Sequence, residues 1–370
     1  MSWETAFITM ETAVCVLTFF LFVRRVGLSV RQQARWTMVL LLCLSKFLCF
    51  RELGGSAFVP DFPDWLIWAW DWAYSGAMIL FALSVLFFFR FRHKVWLLPL
   101  AAWTLASWGL WNGVSAPDAH EIELSFPNLP PALEGYRIAH LSDLHCSSAA
   151  RRWRTQAVVE CVNAQKPDLI CLTGDLVDGR YEKRADDMAP LAGLRARDGV
   201  YACTGNHEYY CGFDVWQSLF YGPQANIRFL DNACAFPRPG LAVAGVPDPA
   251  GARYGRDEMP DVRQAFAAAT NGEFRVLLEH RPKNAETNVR EVGVDLQLSG
   301  HTHGGIAPIL NLIVAPYNAG FTRGVYRLDA SVLHVSPGCG QWAGFPVRFF
   351  NPAEVTVIRL TRRPDGSSIP

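Results

Sequence analysis

Apolar residues are unevenly placed along this chain. Before residue 112 they gather in long runs, and after residue 135 they come in short bursts that end at polar turns. Residues 7–23 are nearly unbroken, interrupted by Glu11 and closed by Arg24 and Arg25. At about 1.5 Å of rise per residue, such a helix is near the minimum that crosses a bilayer. Its arginines follow the apolar core rather than precede it, so it reads as a retained span and not a cleaved leader. Residues 36–50, 65–89 and 95–111 are predicted as three further spans, the last with Pro99 near its start. Trp65, Trp68, Trp96, Trp108 and Trp111 lie near their ends, where interfacial rings anchor helices. Glu11, Lys46 and Asp71 fall in or near these runs and are expected to pair with one another or to reach water at short span ends.

The cations orient the spans. Arg24, Arg25, Arg31 and Arg35 crowd the first loop, and Arg90, Arg92 and Lys94 the third, which places both in the cytoplasm. Four spans then put the rest of the chain on the extracytoplasmic side. Residues 113–134, with Pro117, Pro127, Pro130 and Pro131, read as a linker and first strand. Beyond them the period changes. Residues 136–141, 168–172, 200–203, 241–244, 274–278 and 295–298 read as short buried strands. Between several of them, residues 154–165, 187–197, 261–268 and 283–292 carry helical patterns, which makes residues 135–361 a layered α/β domain. Residues 362–370, rich in Pro, Gly and Ser, read as a disordered tail.

Composition narrows the function. The 370 residues include 34 basic and 34 acidic side chains, so no overall basic field favours nucleic acid, and none is expected as a partner. The ten cysteines form no close Cys-x-x-Cys pairs. Cys15, Cys43 and Cys49 sit in apolar runs as packing thiols, whereas Cys211 and Cys234 are candidates to pair in an oxidising compartment.

The candidate chemistry lies at the ends of the predicted strands. Gly300-His301-Thr302-His303-Gly304-Gly305 sets two imidazoles one residue apart among glycines that permit an irregular turn. Upstream lie Asp143-Leu144-His145, Gly174-Asp175-Leu176-Val177-Asp178, Gly205-Asn206-His207-Glu208 and His280. If these strand ends converge at one sheet edge, Asp143, His145, Asp175, Asn206, His280, His301 and His303 form a carboxylate, amide and imidazole set. That set suits two divalent ions better than one tetrahedral zinc, and manganese, iron and zinc are all compatible with it. Asp178 and Glu208 are expected to orient ligands, and Arg281 to offer an anion contact. Tyr209, Tyr210 and Trp216 could line a cleft or pack in the core, and Phe345, Phe349 and Phe350 pose the same choice.

In this order the five motifs resemble those of the calcineurin-like metallophosphoesterases, D-x-H, G-D-x-x-D, G-N-H-E, H and G-H-x-H. The preceding apolar runs make the chain similar to the membrane-anchored branch of that family. The resemblance implies an N-terminal four-helix transmembrane region followed by a two-sheet sandwich flanked by helices. It also implies that Asp143, His145 and His303 hold one ion, that Asn206, His280 and His301 hold another, and that Asp175 bridges them. His207 would stabilise the transition state or protonate the leaving group. The expected function is hydrolysis of a phosphoester or pyrophosphate bond, of a small molecule or a lipid-linked substrate, by a multi-pass protein of the lipid bilayer. A noncatalytic membrane receptor or scaffold for a phosphorylated ligand and a phosphodiesterase for soluble nucleotides are the alternatives.

Overall fold

The computed structural model describes residues 3–88, 95–221, 226–306 and 310–362. The end of the third predicted span at Phe89, the cations Arg90, Arg92 and Lys94, and the predicted tail beyond Arg362 lie outside the described residues. The chain divides into two compact units, Met1–Val114 with Trp342–Val347, and Ser115–Gln341 with Arg348–Pro370.

The first unit is helical. Trp3–Thr18 continues into a π-helical stretch, Phe19–Val23, and a long helix follows at Asp64–Leu86. Two stretches, Glu4–Val23 and Asp64–Leu86, are long and apolar enough to cross a membrane, with 20 and 23 residues and mean hydropathies of 2.1 and 1.3. The other two predicted spans fall short. The second breaks at Ser45 into Val30–Leu44 and Lys46–Gly54, and the Ser29–Gln32 capping box starts the first of these so that its opening turns carry Arg31, Gln32, Gln33 and Arg35. The fourth is the 17-residue helix Leu98–Val114, with Pro99 in its first turn, where no intrahelical N–H is needed. Among the described residues, two helices rather than the four predicted reach spanning length.

A buried charge cluster organises this unit. Lys46 Nζ lies 2.5 Å from Asp71, both side chains about 1% exposed, and donates to the carbonyls of Ala343 and Gly344 at 3.0 and 2.9 Å. Glu11 accepts from the backbone N–H of Phe47 at 3.0 Å. Trp342 is ringed by Phe7, Phe47 and Phe58, with centroids 5.5, 6.2 and 6.2 Å away. The predicted pairing of Lys46 and Asp71 is present, and its physical task is to hold a segment some three hundred residues downstream against the helices.

The second unit contains two six-stranded mixed sheets. In chain order the strands are β1 Asp118–Phe126, β2 Arg137–Leu141, β3 Leu169–Thr173, β4 Val200–Cys203, β5 Arg228–Phe229, β6 Ala233–Arg238, β7 Leu241–Gly245, β8 Phe274–Leu278, β9 Leu296–Ser299, β10 Gly324–Leu328, β11 Ser331–Val335 and β12 Glu354–Arg362. The first sheet runs β1-β12-β2-β3-β4-β5 and the second β10-β11-β9-β8-β7-β6. Strands β2, β3 and β4 are mutually parallel, as are β7, β8, β9 and β11, so each group points its carboxyl ends the same way. Ile138, Leu169, Cys171 and Cys203 of one sheet share a core with Val243, Val276, Leu278 and Leu298 of the other.

The six predicted strands are present within a residue or two at each end. The helix predicted over residues 187–197 is instead Tyr181–Met188 followed by a 3-10 turn, Ala189–Gly193, since Pro190 ends the regular helix. All ten cysteines are free, which corrects the Cys211–Cys234 pairing. Cys211 Sγ is held instead between the carbonyl of Val177 and the N–H of Gly179, each at 3.3 Å, and Cys234 lies on β6.

His140 on β2 and His334 on β11 join the two sheets through their Nδ1 atoms at 2.8 Å, and His140 Nε2 meets Thr173 Oγ1 at 2.9 Å. Burial lowers the basicity of both rings, that of His334 to about 4, so the folded protein holds them neutral.

Two predictions follow from these buried groups. Replacing Asp71 by Ala strands the Lys46 charge and costs the roughly 3–5 kcal/mol typical of a broken buried pair, read as a lower thermal midpoint in detergent, whereas Lys46→Met with Asp71→Leu recovers most of it. For the histidines, protonation favours the unfolded chain, so their contribution is complete above pH 6.5 and falls away as the pH drops from 6.5 toward 4. Urea midpoints measured across that window decline less steeply in His334→Asn than in the wild type.

Candidate metal centre

Each motif begins where a parallel strand ends, so the chain turns sharply while it still points at the common edge. Five of the candidate ligands occupy the left-handed region that non-glycine residues rarely adopt: Asp143 (φ 53°), His145 (46°), Asp175 (54°), His301 (70°) and His303 (49°). Such strain persists only where the surroundings over-determine it. Here the turns lock one another. Asp143 accepts from His301 N at 3.1 and 3.0 Å, Asp175 from His207 N at 2.8 Å, and the Nδ2 of Asn351 donates to the His303 carbonyl at 2.6 Å. Gly300 and Gly205 are required by this closeness. A Cβ on Gly300 would overlap Ser142 Oγ and Asp143 Oδ2, and one on Gly205 would overlap Asp175 Oδ1.

Three donor sets converge, each with its atoms within 4.8 Å of one another: Asp143, His145 and His303; His145, Asp175 and His207; and Asp175, His280 and His301. His145 and His303 face each other through Nε2 at 3.1 Å, with Asp143 Oδ1 3.8 and 3.5 Å from them. On the other side His280 Nε2 lies 3.2 Å from His301 Nδ1 and 3.1 Å from Asp175 Oδ2. Asp175 also reaches His145 Nε2 at 3.7 Å, so this one carboxylate touches both groups. Asn206 is buried, and its Oδ1 has no hydrogen-bond partner among the described residues. Nitrogen lone pairs and carboxylate oxygens thus point at shared spaces with few donors between them, which is how a site for a cation is built.

Electrostatics divides the imidazoles. Burial opposes charge on all of them, but Asp175 reverses the balance for His280 and lifts it to about 10, and Asp178 lifts His145 well above its ordinary value. His301 falls to about 4 through burial and the neighbouring His280 and Arg281 charges. His303 falls to about 3, burial outweighing the pull of Asp143. Burial likewise works against the carboxylates, yet the surrounding imidazoles hold Asp143, Asp175 and Asp178 below the usual range. Anionic oxygens therefore coexist at neutral pH with neutral rings at His301 and His303 and protonated rings at His145 and His280.

The two predicted orienting carboxylates have distinct partners. Asp178 accepts from His207 Nδ1 at 2.5 Å, and its other oxygen lies 3.0 Å from His145 Nδ1 in an electrostatic contact rather than a well-aligned hydrogen bond. Glu208 gathers the N–H groups of Asp175, Leu176 and Gly205 at 3.0, 2.6 and 2.6 Å, clamping two motif turns together. Asp248 holds Arg281 bidentately at 2.6 and 2.9 Å.

Sequence reasoning passed over Asp248 and Asn351. Asp248 follows β7 in Val-Pro-Asp-Pro, the same strand-to-turn pattern as the other motifs, and that was the available signal. Asn351 stands in an irregular stretch with no comparable cue. Of the ambiguous aromatics, Trp216 is fully buried and Tyr209 is buried with its hydroxyl 3.0 Å from Thr204, so both are core. Tyr210 sits beside the His207 ring at 5.0 Å. Phe345 packs at 6.3 Å from Tyr74 in the helical unit, while Phe350 is exposed.

Comparison with known proteins agrees with this layout. A family model described as calcineurin-like phosphoesterase matches residues 136–305, which contain every candidate ligand. A Danio rerio protein named "Transmembrane protein with metallophosphoesterase domain" is 32% identical over 73% of this chain and 63% of its own length. An "Uncharacterized metallophosphoesterase" of Helicobacter pylori is 32% identical over 68% of this chain and 66% of its own length. Another so named, from Aquifex aeolicus, is 32% identical over 63% of this chain, and the match covers 87% of that protein. The chain thus spans 63% and 66% of the first two relatives, and most of the third. With its domain matched on sequence and its five motifs gathered at one edge of the strands, this chain belongs to the calcineurin-like phosphoesterase family.

Proposed function

We propose that this chain is a membrane-anchored phosphoesterase that works with two divalent ions, manganese, iron or zinc. The observation that carries the reading is the pair of facing imidazole sets, His145 with His303 and His280 with His301, linked by the one carboxylate of Asp175. Asp143, His145 and His303 would hold one ion, Asn206, His280 and His301 the other, and Asp175 would serve both. The chemistry of the donors fits: His301 and His303 are neutral, and the buried oxygen of Asn206 has no competing partner among the described residues. Such a pair of ions supplies Lewis acidity toward phosphoryl oxygens and hydroxide near neutral pH.

The protein's own groups set the rest. His207 turns its Nδ1 to Asp178, which leaves Nε2 to hold or deliver a proton at the leaving oxygen. Asp178 positions that ring and stabilises its charged form, and Glu208 keeps the Asp175 and Asn206 turns in register. Tyr210 flanks His207 as a wall for the ester substituent. A lipid-linked phosphoester or pyrophosphate is the favoured substrate, since helices of spanning length in the same chain raise its local concentration. An extracytoplasmic catalytic domain is favoured by the arginines at positions 24, 25, 31 and 35 in the first loop.

Purified wild type is expected to contain about two divalent ions per chain and to hydrolyse activated phosphoesters only while they are bound, as read by elemental analysis and chelator titration. Asp175→Asn loses both metal and turnover. His207→Ala retains the metal and the fold, yet its kcat falls on the order of 10²–10⁴-fold. Tight binding of phosphoesters by the metal-loaded wild type without any turnover would instead support the receptor reading.

A further inference from the structure

The turn that carries His303 supports an apolar helix that the chemistry above does not use. Asn311–Tyr317, with sequence Asn-Leu-Ile-Val-Ala-Pro-Tyr, has no buried residue, and Leu312, Ile313 and Tyr317 are 78%, 61% and 74% exposed. Concentrated exposure of this kind marks an interaction surface rather than ordinary solvent-facing chain. The sequence from Gly304 to Thr322 contains no acidic residue, lysine or arginine, and the exposed Arg323 and Arg327 follow it.

Both ends of the helix are fastened to the metal-site turn. Asn311 packs so closely on Gly305 that a Cβ there would overlap its Oδ1. After the helix, Gly320 N donates to the Ala315 carbonyl at 2.8 Å, and Thr302 Oγ1 donates to the Thr322 carbonyl at 2.5 Å. Phe350, 77% exposed, joins the same turn, because Phe349 N donates to the Ile306 carbonyl at 3.3 Å and Asn351 to that of His303.

We propose that this helix, with Phe350, dips into the headgroup region of a lipid bilayer and sets the His303 side of the candidate metal centre at the membrane surface. The chain itself supplies the argument for lipid as the occupant. It carries two helices of spanning length, its patch ends in a tyrosine, and the flanking cations suit anionic headgroups. The inference deepens the lipid-linked reading of the proposed function: a substrate lying in the membrane would reach the site without leaving it.

The test uses the full chain in nanodiscs of phosphatidylethanolamine and phosphatidylglycerol, spin-labelled at Ile313→Cys, with Thr287→Cys on an exposed helix of the domain as control and unsubstituted protein as background. The expected result is a higher ratio of oxygen to nickel-chelate collisions at 313 than at 287, since oxygen partitions into lipid and the chelate into water. Equal ratios at the two positions overturn the proposal, leaving a helix in water. Protection of 313 from both reagents also overturns it and assigns the face to a second copy or another protein. The readout needs no turnover, so it stands or falls separately from the enzyme reading.

Discussion

The domain depends on burying several carboxylates and imidazoles in one small space. Asp143, Asp175, Asp178 and Glu208 are almost wholly removed from water, a condition that costs several kcal/mol per uncompensated ion. Compensation is local and complete enough to dictate the backbone. Asp143, Asp175 and Glu208 accept N–H groups from neighbouring motif turns rather than only from their own. Turns that must present both a side chain and an N–H to the same point adopt left-handed φ at non-glycine residues. The strain, the glycines and the parallel strand ends are thus one requirement seen three times.

That coupling explains what was legible in the sequence. Predicted strands 136–141, 200–203 and 274–278 correspond closely to β2, β4 and β8, because strands buried on both faces are continuous apolar runs that break where the site begins. The motif residues stood out for the same reason, as polar groups packed directly behind apolar ones. Strands β6, β10 and β12 carry half-exposed positions and mixed polarity, so their pattern merges with that of loops. Asn351 acts through a single side-chain hydrogen bond to a backbone carbonyl, a relationship that no periodicity records. The pairing of Arg281 with Asp248 was not legible, because Asp248 lies on another strand's turn, and pairing between distant turns leaves no local trace.

The helical unit shows the opposite limit. Hydropathy located every apolar run but overstated two of them, since mean hydropathy does not register a helix break. At Ser45 the regular helix stops and Lys46 turns inward to Asp71 and two carbonyls. A lysine in such a run is expensive unless fully paired, and here the partners include carbonyls from Trp342–Val347, some three hundred residues away. At the break the two meet: the Lys46 ammonium takes both the Asp71 carboxylate and the carbonyls of Ala343 and Gly344.

The tautomers of the site follow from the same geometry. His280 offers Nδ1 to the Thr173 carbonyl at 2.6 Å, an acceptor only, so that nitrogen carries a hydrogen, while Nε2 faces Asp175 and would give up its own proton to bind a cation. His207 donates Nδ1 to Asp178 and His145 turns its Nδ1 toward the other oxygen of the same carboxylate, so both rings direct Nε2 away from it. One carboxylate thereby fixes the orientation of a ring in each of two proposed roles, metal ligand and proton donor. Because His145 also lies within reach of Asp143 and Asp175, it has other carboxylates to hold its ring, whereas the His207 ring donates its Nδ1 hydrogen to Asp178 at 2.5 Å. Loss of the Asp178 charge should then fall more heavily on proton transfer than on metal retention, which separates the two roles of a residue that touches both.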